Sequence, residues 1–208
     1  MIVVLGRPGL TADGHLARSA GRIALAAAAA GGRVELVGSV GDDADGEQVA
    51  LELGVGGIGH AALLRDPAGT TPRLDADGLE QPSPLPRLDR GDIDLGLRYL
   101  PECRVLVAAE PLDAAAPLDA AALAVVTEAA GYHGAALIVL AAPGTFVAGG
   151  AATTNLPETA TLLELPEHDD GAFAELVGRY AARLDRGEPV AAAWTDALTE
   201  TGWESSAE

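Results

Sequence analysis

Gly31-Gly32-Arg33-Val34-Glu35-Leu36-Val37-Gly38-Ser39-Val40-Gly41-Asp42-Asp43-Ala44-Asp45-Gly46 is the stretch that decides the architecture of this chain. The residues ahead of it, from about Leu16 to Ala30, are rich in alanine, the strongest helix former, and Gly31-Gly32 stops that helix. Val34–Gly38 follows as a short apolar strand, and Gly41-Asp42-Asp43 as a turn. A second helix is expected from about Asp45 to Leu53, stopped by Gly54. Upstream, Ile2–Leu5 reads as a buried strand ending at Gly6, and residues 7–15 are turn-rich, with Arg7-Pro8-Gly9 and Asp13-Gly14. Strand, helix, strand, helix at this spacing predicts a parallel sheet with crossover helices.

Towards the C-terminus the pattern loosens over residues 58–90 and then resumes. Ala61–Leu64 reads as a strand, and Asp66-Pro67-Ala68-Gly69 as a turn. Gln81–Pro86 is a proline-rich connector that cannot donate to a central sheet. Arg104–Ala109 is expected as a strand, Leu118–Ala130 as a helix and Ala135–Leu140 as a strand. Residues 143–158 form a Gly/Ala/Thr-rich loop, with Ala160–Leu165 as a strand, Gly171–Leu184 as a helix and a last helix from Pro189 to Thr199. No internal repeat or domain boundary interrupts this, so residues 1–203 form one α/β domain and residues 204–208 a polar tail.

Composition removes several function classes. The thirteen basic residues are all arginines, which excludes a Walker lysine, Schiff-base chemistry and a lysine base. A net charge of −18 offers no footprint for nucleic acid or for an anionic membrane. With two Trp, three Tyr and two Phe, the core must be built from small aliphatic side chains that pack by close approach. Cys103, the single cysteine, lies in an apolar strand and reads as a buried hydrophobe. Met1–Leu5 is too short for a signal peptide and Ala24–Ala30 too short for a membrane span, so a cytoplasmic protein is expected.

The block Ala24–Gly46 resembles the PfkB/ribokinase family of sugar and nucleoside kinases. There, an Ala-rich helix leads through a glycine turn to a strand and a Gly-x-Val-Gly-x-Asp-x-x-Gly turn. Gly54-Val55-Gly56-Gly57-Ile58, Asp66–Thr71, Leu137–Pro143, Gly171-Ala172-Phe173 and Tyr180–Val190 are similar to further parts of the family pattern. The resemblance implies a three-layer α/β/α sandwich of ribokinase-like type with a mainly parallel sheet. It also implies that the lid and the ATP-side segment are reduced, because only residues 6–15 lie between first strand and first helix and the chain is short between about 143 and 168.

Where the sequence departs from that pattern, it departs at the chemistry. In the family, a Gly-Ala-Gly-Asp motif opens a helix whose amides hold phosphate charge and whose Asp is the general base. Here His168-Asp169-Asp170 fall on Gly-Ala-Gly and Gly171 on the Asp. Two carboxylates at a polyphosphate site repel it by roughly a few kcal/mol at an intermediate dielectric. The substrate-side Gly-Gly and Asn fall on Ala17-Arg18 and Arg22. The Asn-x-x-Glu segment has no counterpart unless Ala160–Glu167 is aligned with it, and Asn155 is a faint echo. The remaining substrate-side candidates are Asp13, Gly41, Asp42 and Asp43, the last three also readable as a helix-capping turn.

Other constellations point to no second chemistry. Gly54–Gly59 satisfies GxGxxG but follows a helix rather than a strand. Asp42, Asp43 and Asp45 with Glu47 have the carboxylates a divalent cation would want, but the turn reading explains them without metal. His15, His60, His133 and His168 lack metal-site spacing, and no metal is expected.

Two functional expectations follow. The first is a degenerate kinase-like protein without phosphotransfer, binding a small sugar or nucleoside ligand or serving a regulatory or assembly role, with no cofactor. The alternative is an active carbohydrate or nucleoside kinase using ATP and magnesium, with Asp170, Asp169 or His168 in an unorthodox site. A homodimer covering the surface exposed by the shortened segment is expected, with no nucleic-acid or membrane partner.

Overall fold

The structure, a computed structural model, describes residues 1–100, 102–112, 120–143, 156–166 and 171–203. Six parallel strands form one sheet in the order β5-β4-β1-β6-β7-β8. These are β1 (Ile2–Leu5), β4 (Val34–Gly41), β5 (Gly59–Asp66), β6 (Val105–Leu112), β7 (Ala136–Ala141) and β8 (Thr161–Glu164). The helices are α1 (Arg18–Ala29), α2 (Ala44–Val55), α3 (Arg90–Arg98), α4 (Ala120–His133), α5 (Ala172–Asp185) and α6 (Val190–Thr201). Between β1 and α1 stands a hairpin of β2 (Gly9–Leu10) and β3 (Leu16–Ala17).

Strand β1 is the centre of the molecule and has no exposed side. It pairs with β4 from Ile2↔Val34 to Leu5↔Val37, and with β6 from Ile2↔Val105 to Leu5↔Ala108. Side chains alternate across a strand, so Ile2 and Val4 join the layer of α1, α2, α5 and α6, whereas Val3 and Leu5 join that of α3 and α4. Both faces being covered explains why the strands read as continuous apolar runs.

The small-residue core works by approach of backbones. A Cβ on Gly178 of α5 would stand 2.5 Å from Ala26 Cβ of α1, so the two helices touch where neither has bulk. Four of the seven aromatic residues cluster around α5 and α6: Tyr180 meets Trp194 edge-on at 5.2 Å, and Phe173 meets Trp203 at 5.8 Å. The Tyr180 hydroxyl bonds Thr161 Oγ1 of β8 at 3.1 Å.

Several local expectations are corrected. Leu16 and Ala17 belong to β3, because the hairpin takes them before the helix begins. Helix α2 continues through Gly54 to Val55 and is closed by Gly56 and by Gly57 at φ +68°. Helix α3 was not anticipated. It is started by a capping box in which Asp89 accepts from Gly91 and Asp92 N–H while Asp92 accepts from Asp89 N–H. Its buried side is little more than Ile93 and Leu97. No helix among the described residues is long and apolar enough to cross a membrane.

Candidate functional site

The strand order places a switch point at β1. From β1 the chain winds outward through α1 to β4 and α2 to β5, with those helices on one face; it then returns to β6, on the other side of β1, and winds outward to β7 with α4 on the opposite face. Ligands of open parallel sheets bind outside the carboxyl ends of the strands at such a reversal. The residues there are Arg7, just past β1, and Glu110, near the end of β6.

This crevice is filled by charge. Glu110 is 1% exposed and Arg7 5%. Glu110 Oε1 accepts the Arg7 backbone N–H at 2.5 Å, and Oε2 lies 3.6 Å from Arg7 Nη1 and 3.4 Å from Arg18 Nη2. Arg7 Nε donates to the Pro86 carbonyl at 2.5 Å, so the proline-rich connector, unable to give a donor there, docks as an acceptor. Arg18 Nη1 also reaches Glu80 Oε2 at 2.5 Å, at the rim. Burial lowers the Arg7 pKa, with Arg18 pushing the same way against the attraction of Glu110. Gly6 makes the approach feasible: a Cβ there would lie 3.0 Å from Ala20 Cβ and 3.3 Å from Glu110 Oε1.

Arg18 is held unusually. Its φ is +60°, the single positive value among the non-glycine residues described. An L residue is disfavoured in that conformation by about 1–2 kcal/mol. The backbone there has a glycine-like geometry while the side chain reaches into the crevice. What remains open is a cavity of about 140 Å³, lined by Arg7, Arg18, Ser19, Ala20, Glu80 and Glu110, with Ala109 and Pro111.

The residues singled out in the sequence are distributed differently. Asp43 caps α2, its carboxylate taking Gly46 N–H at 2.7 Å, Thr71 N–H at 2.9 Å and Thr71 Oγ1–H at 2.7 Å. Burial would raise its pKa, but these hydrogen bonds outweigh burial and hold it below the usual carboxylate value. Gly41 donates to Thr71 Oγ1 at 2.9 Å, and a Cβ on it would lie 2.8 Å from Thr71 N. Asp42 is exposed, 3.9 Å from Arg65, and Asp45 pairs with Arg73 at 2.5 Å. Asp13 sits on the exposed turn between β2 and β3.

Arg22 and Gly171 are brought together. Gly171 caps α5 at φ +102°, and Arg22 Nη1 is 3.9 Å from where its Cβ would be. Both line a groove of about 330 Å³ between α1 and α5, with Glu175 and Arg179. His168, Asp169 and Asp170 lie outside the described residues, as does Asn155.

Sequence reasoning missed Arg7 and Glu110. Their signal was present: each is a charge set directly at the carboxyl end of an apolar run, on the two strands flanking the reversal.

No protein-family model and no curated protein matches the sequence. Solved structures do match it. A PfkB protein from Polaromonas sp. JS666 superposes with a TM-score of 0.68 at 15% identity, over 97% of this chain and 94% of that one. Aminoimidazole riboside kinase from Salmonella enterica, complexed with aminoimidazole riboside and an ATP analog, gives 0.68 at 13% identity, over 96% and 90%. Arabidopsis thaliana ribokinase, complexed with ribose and ATP, gives 0.65 at 12%, over 96% and 90%. The fold is therefore ribokinase-like.

Proposed function

We propose that this chain is a degenerate ribokinase-like protein that does not transfer phosphate, and that it acts in the cytoplasm through a small ligand held at the β1/β6 crevice. The observation carrying this reading is the mutual engagement of Arg7, Arg18 and Glu110 in that crevice. The Glu110 oxygens are directed at a backbone N–H and two guanidinium groups, which leaves this buried carboxylate engaged within the protein. Cavity space of about 140 Å³ is well under the roughly 300 Å³ at which ordinary small-molecule pockets begin.

The second support is Gly171, on which the resemblance places the family's general base. Glycine has no group to accept a proton, and its left-handed backbone gives it a structural reason to be there. Neither ATP nor magnesium enters this reading.

Calorimetric titration of the full chain with ATP–magnesium, and separately with ADP, tests it. The expected result is no saturable heat at millimolar nucleotide. Micromolar binding would overturn the reading and turn attention to Asp169 and Asp170 as bases.

A further inference from the structure

We propose that the groove between α3 and α4 is an interface with a second copy of this chain, the exposed ring of Tyr132 from each copy seated in the groove of the other. This stands whether or not the chain transfers phosphate.

A projection and a recess share this face. The groove has a volume of about 740 Å³. Leu97 and Leu100, from α3 and the turn after it, and Val125 and Ala129 of α4 give it an apolar floor. Tyr132 lines its edge and is 86% exposed. His133 meets the Tyr132 ring edge-on, with centroids 5.1 Å apart. A tyrosine supported in this way offers a large amphipathic contact area at small cost in conformational entropy. Two copies that meet about a two-fold axis use the same patch on each, so one surface must carry both the projection and the recess that receives it. The α3/α4 face carries both, and Leu95 and Tyr99, exposed on the same helix layer, extend the apolar surface around them.

Charge favours a second copy over a foreign partner. Two chains of net charge −18 repel each other over most of their surfaces. The groove is different: Arg90 and Arg98 stand against Asp94 and Glu128, so its lining sums to zero. Arg98 and Asp94 already answer each other within α3, at 2.6 Å from Nη2 to Oδ2. Two copies can therefore close on the apolar floor without bringing acid against acid. A basic partner would be drawn to the acidic surfaces instead, which leaves a neutral face with its own projection and recess to the chain itself.

The test is light scattering and sedimentation equilibrium of the full chain over about a hundredfold dilution. The expected mass is twice 20.9 kDa at the concentrated end, falling towards 20.9 kDa on dilution. Tyr132→Ala removes the projection and Ala129→Glu puts a charge into the recess. Each should raise the dissociation constant about tenfold or more. Tyr132→Ala changes an exposed position, so at concentrations where the parent is monomeric it should unfold with the parent's midpoint. An equimolar mixture of the two variants should regain dimer, because the intact Tyr132 of one meets the intact recess of the other. Loss of folding alone would give no such recovery. A monomer at every concentration, a dimer unchanged in both variants, or a mixture that regains nothing would overturn the proposal.

Discussion

Glu110 joins the carboxyl ends of β6 and β1 through Arg7, accepting the Arg7 N–H on Oε1 at 2.5 Å and facing Nη1 with Oε2 at 3.6 Å. Both side chains are almost wholly buried. Removing one member of such a pair strands the other charge, a loss of about 3–5 kcal/mol. Glu110→Ala and Arg7→Ala should each lose stability on that scale in urea unfolding. The double variant should lose less than the sum by about 1 kcal/mol or more. An additive cycle would show that the two are not coupled.

Arg18→Gly and Arg18→Ala delete the same ion pairs and differ in how well the new residue tolerates φ near +60°. The glycine variant should be more stable than the alanine variant by about 1 kcal/mol. Equal stabilities would mean that Arg18 does not hold the left-handed conformation in solution.

Asp43 sets an acid limb on stability. Its folded pKa lies below the ordinary value of 3.8, so its contribution is complete above that value and is lost as pH falls through the folded pKa. At neutral pH, Asp43→Ala should destabilise by about 1–2 kcal/mol through the lost cap and the lost Thr71 bonds. The difference from the parent protein should shrink below pH 3.8. A difference that is constant from pH 7 to pH 3 would contradict the assignment.

Gly178→Leu should destabilise by about 1–3 kcal/mol or more, because α1 and α5 meet at Gly178 and Ala26 with no room between them. Chemical denaturation reads this directly. A neutral effect would mean that the helices can part without loss.

The parallel sheet was legible because its punctuation is local: Gly6 and Gly31-Gly32 end elements where the apolar pattern ends. Helix α3 was hidden because Gly91 and Gly96 weaken its propensity and only Ile93 and Leu97 mark a clear buried stripe. The hairpin of β2 and β3 was hidden because two-residue strands carry no period. Its hold on the body comes from distant partners, with Leu10 N bonding Pro72 O and Arg73 Nη2 bonding Ala12 O.

At the site, the resemblance directed attention to Arg22, Gly171 and the Gly41–Asp43 turn, and the structure joins the first two across the α1/α5 groove. The Arg7–Glu110 pair escaped because its members are 103 residues apart and meet through strand order. Strand order is a property of the whole sheet, which no window of sequence displays.

The central claim is that this ribokinase-like chain transfers no phosphate. ADP release by the full chain should be followed with ATP–magnesium and a panel of sugars and nucleosides. The account predicts release no faster than background hydrolysis with every acceptor. Acceptor-dependent release, abolished by Asp169→Asn or Asp170→Asn, would contradict it.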